Sequence, residues 1–238
     1  MKQIRLILGF LTLLFLLINI EIEIHAMQTG FSTELLSEED VDTFLSNVNV
    51  SLMPDEPPKK VIECFDVNEE GLIAIGYGSS GEKAICVYTT DGVYQYGYKF
   101  KTQGSFGVEW DKDLIMIYFV RSDVAIAVDS LGEVVDIAQI QNTSSNNSYW
   151  NKSVRSTKRK IGDVEYSLRN NMGFFDLFAS SYSQLVVEDS KGGERIIHDV
   201  NSSQFVSIVV MFVGVLLLVC VAIFSVVWQF VKLRQKHK

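Results

Sequence analysis

The sequence predicts an all-β domain of about three antiparallel four-stranded repeats, a short N-terminal helix ahead of it and one C-terminal transmembrane helix behind it. Three observations carry this prediction. From Val61 onward, apolar residues alternate with period two between closely spaced turn residues, as in half-buried strands. Similar turns recur, ending at Gly92, Gly132 and Gly192. Residues 205–231 form a run of twenty-seven positions without a charge, long enough to cross a bilayer.

Residues 1–26 read as a signal peptide. Lys2 and Arg5 precede fifteen uncharged positions from Leu6 to Ile20, and a small residue, Ala26, follows with Ile24 two before it. An uncleaved second anchor is the competing reading, but the run is short for a span and Glu21 and Glu23 end it. Residues 27–60 hold a short helix and a linker. Ser37 followed by Glu38, Glu39 and Asp40 is a helix start, and Val41, Phe44, Leu45 and Val48 keep helical spacing to 48. MPDEPPKK then gathers all three prolines of the chain.

Residues 61–200 hold the repeats. A first pass reads VIECFDV, LIAIG, KAICVY, VYQYGYKF, and a second GSFGVEW, LIMIYFV, VAIAV, EVVDIAQI. The third reads DVEYSLR, FFDLFAS, QLVVE, ERIIHDV. The three turn glycines are 40 and 60 residues apart, and the excess of 20 matches the polar stretch 141–160, read as an insertion loop. Removing it restores a repeat near 40, the length of a four-stranded unit. The units ICVYTTDGVYQYGY, AIAVDSLGEVVDIA and LVVEDSKGGERIIHDV resemble the outer hairpins of β-propeller blades. This resemblance is one of pattern and carries over no functional residues. The layout as a whole is similar to uncharacterised membrane-anchored bacterial surface proteins, which assigns no activity. Closed propellers have about 4–8 blades, so three leave open edges. Either the sheets curl into a sandwich-like or open-barrel stack, or two copies complete a ring as a homodimer.

After the apolar run, a basic tail at 232–238 carries Lys232, Arg234, Lys236 and Lys238, which marks the cytoplasmic side of a span. Signal and tail agree on one topology. The protein sits in the cell membrane as a single-pass chain, its N-terminal domain extracytoplasmic and its C-terminus cytoplasmic. Residues 27–204 hold 27 acidic against 15 basic side chains, a net −12, which repels phosphate backbones and argues against nucleic acid as a partner.

Motifs for chemistry are sparse, and no catalytic, cofactor or metal residues are assigned. Gly76, Gly78 and Gly81 spell G-x-G-x-x-G, but the strand-like GEKAICVY follows where a dinucleotide site needs a helix, so the motif reads as a hairpin connection. DVNEEG imitates the start of a calcium loop, yet its twelfth position is Tyr77, and it too reads as a turn. Between Ala26 and the apolar run, His198 is the single histidine. Cys64 and Cys86 lie in alternating apolar runs and are expected to be free and buried, while Cys220 falls in the span. The insertion is the most unusual stretch: Tyr149 and Trp150 adjoin Lys152, Arg155, Lys158, Arg159 and Lys160 on an otherwise acidic domain. Aromatic anchors beside cations suit a protein or polyanion partner. Sequons stand at Asn49, Asn142, Asn146, Asn151 and Asn201. The functional expectation is a non-catalytic binding or assembly module; the alternative is an extracytoplasmic hydrolase using carboxylates.

Overall fold

The computed structural model describes residues 27–78 and 81–236. The signal-peptide reading at 1–26, two residues of the GYGSSG stretch (79–80) and the end of the basic tail (237–238) lie outside them. The chain opens with β1 (Thr33–Glu34), α1 (Glu38–Val48) and β2 (Ser51–Met53). As expected, Ser37 caps α1, its Oγ accepting from Asp40 N at 3.2 Å, and Asn49 closes the helix in the left-handed region at φ 48°.

Three antiparallel meanders follow. The first comprises β3 (Ile62–Val67), β4 (Ile73–Gly78), β5 (Gly81–Tyr88) and β6 (Tyr94–Thr102). The second comprises β7 (Phe106–Asp111), β8 (Leu114–Phe119), β9 (Val124–Val128) and β10 (Val134–Ile140). The third comprises β11 (Lys158–Ile161), β12 (Val164–Arg169), β13 (Gln184–Glu188) and β14 (Glu194–Asp199). In each, consecutive strands are neighbours; β2 adds to the edge of the first sheet beside β6, and β1 to the second beside β10. The repeated turn is the same structure three times. Thr89, Asp129 and Asp189 each accept two backbone N–H groups on a side-chain oxygen. Gly92, Gly132 and Gly192 close these turns at φ 79°, 85° and 76°, conformations that a side chain resists.

The sheets stack as layers with the first sheet in the middle. One of its faces, carrying Cys64, Ala74, Ile85, Tyr98 and Phe100, buries against Phe106, Val108, Ile117 and Ile126 of the second sheet. The opposite face, with Phe65, Ile73, Ile75, Tyr77 and Tyr88, buries against Tyr166, Leu168, Leu185 and Ile197 of the third. The second and third sheets therefore lie on opposite sides of the first, and the stretch after β10 carries the chain between them. Gly76 sits at the first of these interfaces, where an added Cβ would come within 2.5 Å of Cys64 Sγ and 2.8 Å of the Phe106 ring. The G-x-G-x-x-G is thus a β4–β5 hairpin whose first glycine permits close sheet packing.

The structure corrects two readings of the sequence. Residues 141–160 are not a loop without order: Ser144–Tyr149 form α2, a π-helical turn continues through Trp150–Val154, and Lys158, Arg159 and Lys160 belong to β11. β11 pairs with β12 and supplies the first strand of the third sheet. The expected strand FFDLFAS is absent from that sheet; Gly173–Phe178 form a 3-10 turn instead. Between α1 and the proline-containing linker lies β2, a short strand that the sequence reading did not name.

Val200 alone separates β14 from α3 (Asn201–Lys236). This helix contains the expected span at 205–231 and is the one helix among the described residues long and apolar enough to cross a membrane.

Candidate functional site

The stretch that the sequence singles out divides into an inward bracket and outward cations. Thr143 caps α2 through Oγ1, which accepts from Asn146 N at 3.1 Å. Asn146, itself buried, accepts from Ser32 N and donates to the carbonyls of Ser32 and Gln141, tying α2 to the N-terminal segment. Tyr149 and Trp150 then point at the outer face of the second sheet and not into solvent. Phe31 packs edge-on against both Tyr118 and Tyr149, with centroids 4.9 and 4.8 Å apart. An added Cβ on Gly107 would lie 2.3 Å from Val154 and 2.9 Å from the Trp150 ring, so glycine at that position lets the bracket seat. The two aromatics act as a clasp that covers this layer.

Under the clasp lies Glu109. Tyr118 donates its hydroxyl to Glu109 at 2.8 Å and Tyr149 donates at 2.9 Å, while Thr29 Oγ1 lies 2.8 Å from Tyr118 Oη. Burial raises the Glu109 pKa above the ordinary carboxylate value, and the two phenols partly offset the rise. Burial also pushes Tyr149 up to about 12. Met27 N and Gln28 N donate to Asp136 and Asp111 at 2.7 and 2.8 Å, fixing the start of the described chain to the same layer.

The five cations have separate fates. Lys158 pairs with Glu165 at 2.6 Å on the exposed face of the third sheet. Arg159 turns inward, its Nε donating to Asp66 Oδ1 at 2.5 Å and its guanidinium lying 5.5 Å from the Phe65 ring centroid. Lys152, Arg155 and Lys160 are exposed and have no ion pair among the described residues.

The Asp66–Arg159 pair sits where the first strands of all three meanders converge. Asp66 on β3 accepts from Arg159 on β11 with one oxygen and from Trp110 N on β7 with the other, at 2.8 Å. One carboxylate therefore joins three sheets. Sequence reasoning missed it, because Asp66 was read only as the first acid of a turn. The turn itself is as expected, with Gly71 at φ 86° and Leu72 N donating to Asn68 Oδ1 at 2.8 Å. Beside the junction opens a cleft of about 390 Å³ whose lining includes Asn68, Glu69, Glu70, Trp110, Lys112 and Asp113. Trp110 Nε1 is buried there without a partner among the described residues.

The two cysteines of the first sheet and the single histidine of the β domain are enclosed. Cys64 and Cys86 are buried, free and on opposite faces of the first sheet, which prevents their pairing. Burial pushes the Cys86 thiol up to about 11, and that of Cys64 further still. His198 donates from Nε2 to the Lys60 carbonyl at 2.8 Å, and burial lowers its pKa. No group of three or more His, Cys, Asp and Glu side chains among the described residues is arranged to hold a metal ion.

No protein-family model, curated protein or solved structure matches the chain.

Proposed function

We propose that the chain is an exported, single-pass membrane protein whose extracytoplasmic β-repeat domain is a non-catalytic binding or assembly module. The observation that carries this is the fusion of a three-sheet domain to an apolar helix with a single residue between them. The junction is also stitched. Asn201 donates to the Asn171 carbonyl and accepts from Asn171 N, and Gln204 donates to the Ser181 carbonyl at 3.0 Å. Such a joint sets the orientation of the domain on its anchor, which suits presentation of a surface.

Export draws support from the other terminus. Cleavage after Ala26 would make Met27 N an α-ammonium, and Asp136 already offers it a carboxylate at 2.7 Å. The four-stranded meanders with their common turn favour blade-like units of propeller type. For the partner, a protein or polyanion remains the reading, now resting on exposed Lys152, Arg155 and Lys160, with Tyr149 and Trp150 as the rigid base beneath. A carboxylate hydrolase would place its raised-pKa acid in a cleft, whereas Glu109 is covered by two phenols and does not line the acidic cleft.

A photo-crosslinker at Asn151 in the native membrane tests the proposal. Crosslinked products should appear, and Lys152→Glu, Arg155→Glu, Lys160→Glu together should abolish them. Identical products from both chains would remove the cationic face as the binding site. Light scattering of the solubilised chain decides whether the partner is a second copy.

A further inference from the structure

The 3-10 turn Gly173–Phe178, inserted between β12 and β13, is apolar on its outer side, which is unusual for a connection in a soluble domain. Phe174 is 67% exposed, Leu177 79% and Phe178 43%. Its one charged residue does not oppose this. Asp176 accepts from Met172 N at 2.9 Å, so its carboxylate is used to close the turn. Adjacent exposed aromatics of this kind mark a surface that meets something apolar.

What they meet follows from where the turn sits. Phe175 packs edge-on against Phe205 and Phe212 of α3, at 5.3 and 6.4 Å, and Phe178 packs against Phe212 at 6.0 Å. Phe205 is the first residue of the uncharged run, and Phe212 lies seven residues on, about 10 Å further along the helix. The whole run of twenty-seven residues is about 40 Å long, against about 30 Å of hydrocarbon. With the Lys232 end at the opposite surface, the extra length of about 10 Å is the segment that the turn flanks. Turn and helix therefore share the boundary between headgroups and acyl chains. A groove of about 460 Å³ between turn, helix and linker has Lys59, Lys60, Phe178, Ser203, Ser207 and Met211 in its lining, which puts two exposed lysine residues on the same groove as Phe178; the Lys59 ammonium leans toward the Tyr88 ring and the Ile197 carbonyl.

We infer that Gly173–Phe178 is a membrane-interfacial wedge: Phe174, Leu177 and Phe178 enter the outer acyl boundary of the bilayer that α3 crosses, while Lys59 and Lys60 lie at headgroup level. Interfacial segments of this composition sink about 5–10 Å into that boundary. The wedge gives the domain a second point of attachment, which holds the third sheet against the membrane and turns the second sheet away from it. This rests on the proposal that α3 spans the membrane, and the test separates the two.

Full-length protein with Cys220→Ala is placed in phosphatidylcholine–phosphatidylglycerol vesicles. Nitroxide labels are attached at Phe174→Cys, Leu177→Cys, the mid-span control Leu217→Cys and the second-sheet control Leu131→Cys. The wedge predicts that Phe174 and Leu177 labels, like Leu217, collide several-fold more with oxygen than with aqueous nickel chelate, and that Leu131 shows the reverse. Phe174 and Leu177 labels behaving like Leu131, with Leu217 still in lipid, overturn the wedge and leave the anchor intact. A water-accessible Leu217 overturns both. As a second probe, Phe174→Trp emission should be quenched by brominated lipid; the absence of extra quenching over the parent chain also overturns the wedge.

Discussion

Asp66→Ala should be among the most damaging single substitutions in the domain. Asp66 and Arg159 side chains are only 13% and 14% exposed, so solvent screens their attraction little. Removing the carboxylate strands a buried guanidinium and leaves the Trp110 N–H, an inter-sheet donor, without its acceptor. Breaking a buried pair costs about 3–5 kcal/mol, and the lost acceptor overlaps with that figure more than it adds to it. About 4 kcal/mol is expected, equivalent to about 8–16 °C in Tm for a domain of this size. Asp66→Asn keeps an acceptor for Trp110 and should cost less. Combining it with Arg159→Met removes both charges, and the double variant should fall short of the summed single costs by about 1–3 kcal/mol. Denaturant unfolding, followed by tryptophan fluorescence, measures the solubilised parent, the single variants Asp66→Ala, Asp66→Asn and Arg159→Met, and the double variant. A loss below about 1 kcal/mol for Asp66→Ala, or strict additivity in the cycle, would refute the claim that this carboxylate ties three sheets together.

Other expectations concern the clasp, the histidine and the thiols. Tyr149→Phe removes one donor from half-buried Glu109 and should cost about 1 kcal/mol by thermal unfolding. Gly107→Ala should cost about 1–3 kcal/mol by overpacking against Val154 and Trp150, and limited trypsinolysis should then cut at Lys152 and Arg155 sooner than in the parent. The His198 pKa is lowered on folding, so the stability it supports is present above its ordinary value of 6.5 and is lost as pH falls below that value toward the folded pKa. His198→Gln should flatten that part of the acid limb, and an unchanged slope in a pH series of unfolding curves would exclude the group. Cys64 and Cys86 should resist a water-soluble maleimide in the folded protein and react at once in denaturant, as mass spectrometry would show.

Features with local chemistry were legible in the sequence. The recurring turns need a side-chain acceptor at their start and a glycine at their end, so Thr89–Gly92 and its two relatives announce themselves and give the repeat. Ser37 and its acids did the same for α1. The misreadings arose where a local pattern suits two structures. KRKI in β11 is short and charged, so it disappeared into the polar stretch before it, although Arg159 sits there because Asp66 waits across the junction. GFFDLF has strand length and strand hydrophobicity; only the packing of Phe175 and Phe178 against α3 explains its apolar character outside the sheet. The layer order depends on which faces are buried, and its one local trace is the near-continuous apolar character of IAIGY and VAIAV, whose sheets are covered on both sides. The aromatic–basic stretch was conspicuous, but nothing in its composition reveals that Tyr149 and Trp150 face Phe31 and Glu109.

The central claim, a β domain held outside on a single span, is tested most directly by access from one side. Intact cells carrying the full chain with a C-terminal epitope are treated with trypsin, and the fragments are sequenced and blotted. The account predicts a mature chain that starts at Met27, cleavage within the β domain and a protected C-terminal tag. A protected domain with an accessible tag, or a chain that retains residues 1–26, would contradict it.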